Sequence, residues 1–253
     1  MNAGKKNRIG RFLKPDGRSL IVAFDHGVFR GPTQGSEKPE RVFEQIIEGG
    51  ADGVLVTPGL ATKFSDILSG RIGVILSVPM DPLYVDYASL IGADAVKTTY
   101  FGDVNDEEMI KLQEDVAVVC ESYGLPYVAE VVPAVREEGK IKPIPDEWLV
   151  QVAARKAAEF GADMVKTIYT GSKESFREVV EKTFIPVVIL GGEKADDRRV
   201  LKMVKEAVDA GGAGVAFGRN VWRRDNPKAM VEALKTIIHK GKDVEEALSI
   251  LRG

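Results

Sequence analysis

A single-domain α/β fold, the (β/α)8 or TIM barrel, is what this sequence predicts, on three observations. Eight short, almost continuously apolar runs recur along the chain, stretches of helical periodicity separate them, and every second run opens on a Gly-Ala step. Short runs of continuous apolar character are expected of parallel strands covered on both faces. An open doubly wound sheet uses the same units, but eight evenly spaced ones favour closure into a barrel.

The elements follow in order. Residues 1–18 are basic and precede the first strand; they are expected to cap the barrel floor. Strand one is SLIVAFDHG (19–27), strand two DGVLVTPG (52–59), strand three IGVILSVP (72–79) and strand four DAVKTTYFG (94–102). Strand five is PYVAEVVP (126–133), strand six DMVKTIYTG (163–171), strand seven PVVILGG (186–192) and strand eight AGVAFGRN (213–220). Between them, EEMIKLQEDVAVVCESYG (107–124) and DEWLVQVAARKAAEFG (146–161) carry helical periodicity and end in glycine. Residues 226–253 read as the last helix followed by a short extra one. The segments GGADGVLV (49–56), GADAVK (92–97), GADMVK (161–166) and GGAGVAFG (211–218) belong to strands two, four, six and eight. Alternating strands of one kind are what a barrel built from βαβα units should show. No linker divides the 253 residues, so one domain is expected throughout.

Composition narrows the function. The chain is 44% hydrophobic and 29% charged with a net charge of −3, which argues against nucleic acid as a partner and leaves room for a small anionic ligand. Its one cysteine, Cys120, lies in a predicted helix and reads as a buried structural thiol. No apolar run approaches ~18 residues, so no membrane association is expected. The basic N-terminus lacks a following apolar segment and cleavage site, which reads as the mature segment of a cytoplasmic protein. The two histidines, His26 and His239, have no metal-ligand spacing, and no metal or cofactor is expected.

The chemistry gathers around a repeated lysine. Residues 92–103 (GADAVKTTYFGD) and 161–172 (GADMVKTIYTGS) agree at eight of twelve positions, including Lys97 with Lys166. A lysine inside a buried strand is costly unless something uses or neutralises it. If Lys166 faces the barrel interior, so do Met164 and Ile168, with Val165 and Thr167 against the helices. The repeat turns Lys97 inward too, in the same layer and roughly 10 Å away at the backbone. Freeing a lysine of its proton near pH 7 costs about 4 kcal/mol, and burial beside a second cation works in that direction. One lysine is then a Schiff-base nucleophile and the other a supporting cation; the alternative is two ion-paired structural lysines.

Other candidates follow from position. Asp25 ends strand one, where acid/base groups of barrels stand. His26 follows it, as a further candidate or as a packing residue. Glu130 lies on strand five, between strands four and six, a candidate acid/base group or ion-pair partner of Lys97. Tyr100, ending strand four, is a candidate proton donor. After strands seven and eight come Gly191-Gly192 and Gly218-Arg219, the usual place for a phosphate held by backbone N–H groups and a cation.

The stretches AFDHGVFRGPTQG, GADMVKTIYTG, PVVILGGEK and GVAFGRNVWRRDNP resemble the archaeal-type class I fructose-bisphosphate aldolases, the DhnA/FbaB type. That group includes 2-amino-3,7-dideoxy-D-threo-hept-6-ulosonate synthases and a thiolase acting on 3-hydroxy-5-phosphonooxypentane-2,4-dione. The resemblance implies a (β/α)8 barrel, often assembled as a decamer of stacked pentamers. It implies Lys166 as the Schiff-base lysine, Asp25 as an acid/base group, and phosphate binding by both glycine loops with Arg219. One departure stands out. The aldolases end strand five in Tyr-Pro-Arg-Gly, whose tyrosine is the general acid/base; here Val132 takes its place, and Arg136 is displaced from that of the arginine. The resemblance also implies an inward parity for Glu130, two residues before the position of the family's tyrosine. The expected function is therefore a Schiff-base-forming aldolase acting on a phosphorylated sugar or keto compound. The alternatives are thiolase-like acyl transfer with coenzyme A as co-substrate, and a non-catalytic sugar-phosphate-binding barrel. A homo-oligomer is expected from the resemblance alone.

Overall fold

Nine strands run β1 (Ser19–Ala23), β2 (Gly53–Val56), β3 (Gly73–Ser77), β4 (Ala95–Gly102), β5 (Tyr127–Glu137), β6 (Lys140–Pro143), β7 (Met164–Thr167), β8 (Val187–Leu190) and β9 (Gly214–Phe217) in the computed structural model, which describes residues 1–252. Eight of them pair in parallel, each with its neighbours in sequence, and β9 closes on β1. The fold is the predicted (β/α)8 barrel in one domain. Strand six of the sequence is β7, because β5 overruns the barrel and folds back on β6 as an antiparallel pair, Ala134 opposite Pro143. That hairpin was not anticipated. Its turn residue Glu138 adopts φ 49°, beside Gly139 at φ 74°.

Strand alternation sorts the core into two shells. Ile21, Leu55, Ile75, Val128, Met164 and Val188 form an inner cluster, whereas Val22, Val54, Val96, Val165 and Ile189 pack outward with the helices. Met164 inward and Val165 outward is the predicted parity for Lys166. The helices over the outer shell begin on local caps. Asp106 accepts from the Met109 N–H at 3.1 Å to start Glu107–Tyr123, which closes on Gly124 in the left-handed region at φ 62°. Asp146 accepts from Leu149 N–H at 2.9 Å to start Glu147–Glu159. The chain ends in the helices Pro227–Ile238 and Val244–Arg252. Cys120 is fully buried on the helix Glu107–Tyr123, and burial pushes its thiol up to about 12.

The floor explains the aspartates of the repeat. Asp52, Asp94 and Asp163 stand at the feet of β2, β4 and β7. Each accepts a backbone N–H of the preceding strand: Leu20 at 2.7 Å, Val74 at 2.8 Å and Tyr127 at 2.9 Å. Each also meets a basic side chain. The fully buried Lys5 reaches Asp163 at 2.8 Å, Arg11 reaches Asp94 at 2.5 Å, and His239 reaches Asp52 at 2.8 Å. Phe12, with no exposed surface, joins the inner cluster. In the last repeat Gly214 replaces the aspartate; at φ 127° any Cβ there would lie 2.1 Å from the Ser19 carbonyl oxygen.

Candidate active site

At the opposite end of the interior, four charged side chains and two hydroxyls form one buried network. The backbone sets its level. Lys166 on β7 pairs with Glu130 on β5, which pairs with Thr99, two residues beyond Lys97. A barrel shear of about eight over eight strands shifts register by about that much across two strands, so both lysines reach the same height. Glu130 stands between them. Its Oε1 lies 2.7 Å from Lys166 Nζ, and its Oε2 lies 2.7 Å from Lys97 Nζ.

Lys97 is enclosed further. Its ammonium also donates to Asp25 Oδ2 at 2.9 Å and to Thr99 Oγ1 at 2.5 Å. Ser77 donates to the same Asp25 oxygen at 2.7 Å, and Thr99 donates to Glu130 Oε2 at 3.0 Å. Two ammonium and two carboxylate groups balance, which is how four charges tolerate burial. Burial pushes the Asp25 carboxyl up, but Lys97, Lys166 and the Ser77 hydroxyl outweigh it and hold it far below the carboxylate range. Glu130 is likewise opposed by burial, yet Lys166 and Lys97 hold it down to about 2. Burial lowers the Lys97 amine, but Asp25 and Glu130 prevail and raise it well above the lysine range. The sequence left two readings, a pair of neighbouring ammonium groups or lysines each ion-paired, with Glu130 as a partner of Lys97. The structure has the second arrangement: a carboxylate separates the two ammonium groups, and Lys97 is enclosed by Asp25 and Glu130.

His26 sits at the rim. Its Nδ1 is 3.7 Å from Asp25 Oδ1, too long for a hydrogen bond, and is buried without a partner among the described residues. Burial depresses its pKa, favouring the neutral ring. The ring meets Trp222 edge-on, with centroids 5.8 Å apart. Tyr100 is not part of this site. It lies three residues after Lys97, hence on the other face of β4, and its hydroxyl donates to Asp106 Oδ2 at 2.8 Å. Burial and that carboxylate push it up to about 12.

The two glycine loops lie side by side after β8 and β9. Asn220 staples them: its amide donates to Gly191 O at 2.6 Å and to Glu193 O at 3.2 Å, and its oxygen accepts from Ala195 N–H at 3.0 Å. A Cβ at Gly218 would fall 2.8 Å from His26 Cε1, so the residue must stay small there. Arg219, 11% exposed, forms an ion pair with Glu193. Sequence reasoning passed over four of these residues: Ser77, Thr99, Glu193 and Asn220. Thr99 was within reach, two residues from Lys97 on the same face; the other three carry no pattern. A cavity of about 630 Å³ opens at the floor among Arg11, Asp52, Arg71 and Asp94, remote from this network. No group of three or more His, Cys, Asp or Glu placed to hold a metal occurs among the described residues. No described helix is long and apolar enough to cross a membrane.

Residues 19–224 match the family described as DeoC/LacD family aldolase. The chain belongs to that family. It is 35% identical to a 2-amino-3,7-dideoxy-D-threo-hept-6-ulosonate synthase of Halobacterium salinarum, over 98% of this chain and 96% of that one. It is 32% identical to an uncharacterized aldolase of Saccharolobus solfataricus, over 93% and 95%. Among solved structures it resembles an archaeal fructose-1,6-bisphosphate aldolase whose catalytic Lys is covalently bound to the carbinolamine intermediate of its substrate. That match has a TM-score of 0.79 at 28% identity and covers 92% of this chain and 99% of the other. The enzyme class is thus an aldolase-type lyase, in a family whose solved relatives include Schiff-base-forming enzymes.

Proposed function

We propose that this chain is a class I aldolase, lyase or transferase, that forms a Schiff base through Lys166 with a phosphorylated sugar or keto compound. The observation that carries the proposal is Glu130 held 2.7 Å from Lys166 Nζ, in a chain that has Val132 where the resemblance to the class I aldolases would place a tyrosine. The ammonium of Lys166 gives a proton to Glu130, and the neutral amine attacks the substrate carbonyl, one of its remaining protons passing to the new alkoxide to give the carbinolamine. Glu130 returns that proton to the carbinolamine hydroxyl, which leaves as water, and an iminium remains. The iminium restores the positive charge beside Glu130 and serves as the electron sink for cleavage or formation of the adjacent carbon–carbon bond. While the amine is neutral, Glu130 lacks its largest stabilising charge, so its proton affinity rises when the proton is needed.

Asp25, steadied by Lys97 and Ser77, takes the proton of the substrate hydroxyl whose carbon becomes a carbonyl on cleavage. Neutral His26 stands beside it as a further proton acceptor. Lys97 touches no substrate in this scheme; it keeps both carboxylates ionised and in place. Arg219 and the backbone at Gly191, Gly192 and Gly218 hold the phosphate. Borohydride reduction in the presence of ketose and aldose phosphates, read by intact mass, tests the proposal. A trapped adduct with at least one of them is expected; none across the panel would contradict it.

Val132 also supports a second reading, acyl transfer from a phosphorylated diketone to coenzyme A, for which no tyrosine acid is needed. Loss of free thiol in a mixture of coenzyme A and such a diketone distinguishes it. The exposed apolar residues Leu83, Leu90 and Val118 support a homo-oligomer, which light scattering tests.

A further inference from the structure

We infer that Glu193 is a displaceable internal counterion that occupies the anion position of Arg219 until a dianionic phosphate evicts it. The inference rests on reading Arg219 as the phosphate ligand and names the residue that sets that site's affinity. Arg219 is 11% exposed, its Nε is buried with no partner among the described residues, and its one ion-pair partner given by the structure is Glu193. Glu193 is 75% exposed, so its side chain is anchored by that guanidinium and, at longer range, by Arg30.

The backbone under Glu193 is held independently. Asn220 grips the loop through Gly191 O, Glu193 O and Ala195 N, and Gly192 turns it at φ 62°. The carboxylate can therefore swing away while the glycine backbone keeps its shape. A second cation stands ready to receive it: Arg30 NH2 lies 3.9 Å from Glu193 Oε1. A phosphate dianion outcompetes a carboxylate for a guanidinium because it brings more charge and a third acceptor oxygen. A carboxylate ligand would exchange like for like and gain little. The pair thus discriminates against carboxylate ligands and keeps Arg219 ordered before substrate arrives.

The test is calorimetric titration of inorganic phosphate into the wild-type protein, Glu193→Gln, Glu193→Ala and Arg219→Met. Both Glu193 variants are expected to bind phosphate about five-fold more tightly than wild type, and Arg219→Met to bind it at least ten-fold more weakly. A Glu193 that merely braces the loop gives equal or weaker binding in both variants. That result overturns the counterion role while leaving Arg219 as the phosphate ligand. Unchanged affinity in Arg219→Met, or no binding to the wild type and the Glu193 variants alike, overturns the inference together with the phosphate reading beneath it.

Discussion

The floor of the barrel and its mouth both bury carboxylates against basic side chains, but these carboxylates differ in what else they touch. At the floor, Asp52, Asp94 and Asp163 each accept a peptide N–H from a neighbouring strand as well as meeting a basic side chain. At the mouth, Asp25 and Glu130 meet ammonium and hydroxyl groups of side chains. A peptide N–H does not give up its proton near neutral pH, so each floor carboxylate is committed to its neighbouring strand, even at Asp163, where an ammonium stands 2.8 Å away. An ammonium 2.7 Å from a carboxylate can hand its proton over and take it back. The two Gly-Ala-Asp-X-Val-Lys segments thus span both ends: the aspartate binds the neighbouring strand at the floor, and the lysine meets Glu130 at the mouth.

Substitutions at the two ends should separate activity from stability. The largest effect is expected for Lys166→Met, with a loss of at least about 10³-fold in turnover and no trappable imine, checked by steady-state assay and reduction. Glu130→Gln comes next. It leaves two buried ammonium groups without the carboxylate between them, lowering activity by about 10²–10⁴-fold and stability by about 3–5 kcal/mol, measured by assay and denaturant unfolding. At the floor, Asp163→Asn leaves the buried Lys5 with Glu121 alone, a largely exposed carboxylate 2.8 Å away, at a cost of at most about 3 kcal/mol. That corresponds to a melting point lower by roughly 6–12 °C, with imine formation on Lys166 intact in the remaining folded protein.

A smaller effect depends on pH. Burial lowers the His239 pKa, but its hydrogen bonds to Asp52 and Asp16 outweigh this and leave it raised above the ordinary 6.5. Its protonated form therefore stabilises the fold fully below about pH 6.5, and the contribution fades as pH rises through the folded pKa. Melting curves of His239→Gln should fall short of wild type by about 1 kcal/mol at pH 5.5 and converge with it at alkaline pH. The smallest effect is expected for Tyr100→Phe, within about two-fold of wild-type turnover, since its hydroxyl faces Asp106 and not the network.

The barrel was legible because period and repeat are properties of the chain itself. Eight apolar runs and four Gly-Ala steps set the strands, and alternation from Val132, at the place of the aldolases' tyrosine, led to Glu130 by parity. The same alternation counted from Lys97 excludes Tyr100, three residues on; closeness to the strand end suggested it wrongly. What escaped depends on which strand lies beside which. The aspartate of the repeat finds its N–H on the adjacent strand, and Ser77 finds Asp25 across 52 residues of sequence. Asn220 staples a loop 29 residues away, and no local pattern marks a staple. The β5–β6 hairpin escaped because its residues, VREEGKIK, are charged and exposed, unlike the strands of the barrel.

The unequal roles of the two lysines are tested most directly by mapping the adduct. Borohydride reduction with a reactive ketose phosphate, followed by proteolysis and mass spectrometry of the peptides, should place a single modification on Lys166 and leave Lys97 unmodified. A modification on Lys97, or on both lysines equally, would contradict the assignment of Lys97 as the ammonium locked between Asp25 and Glu130.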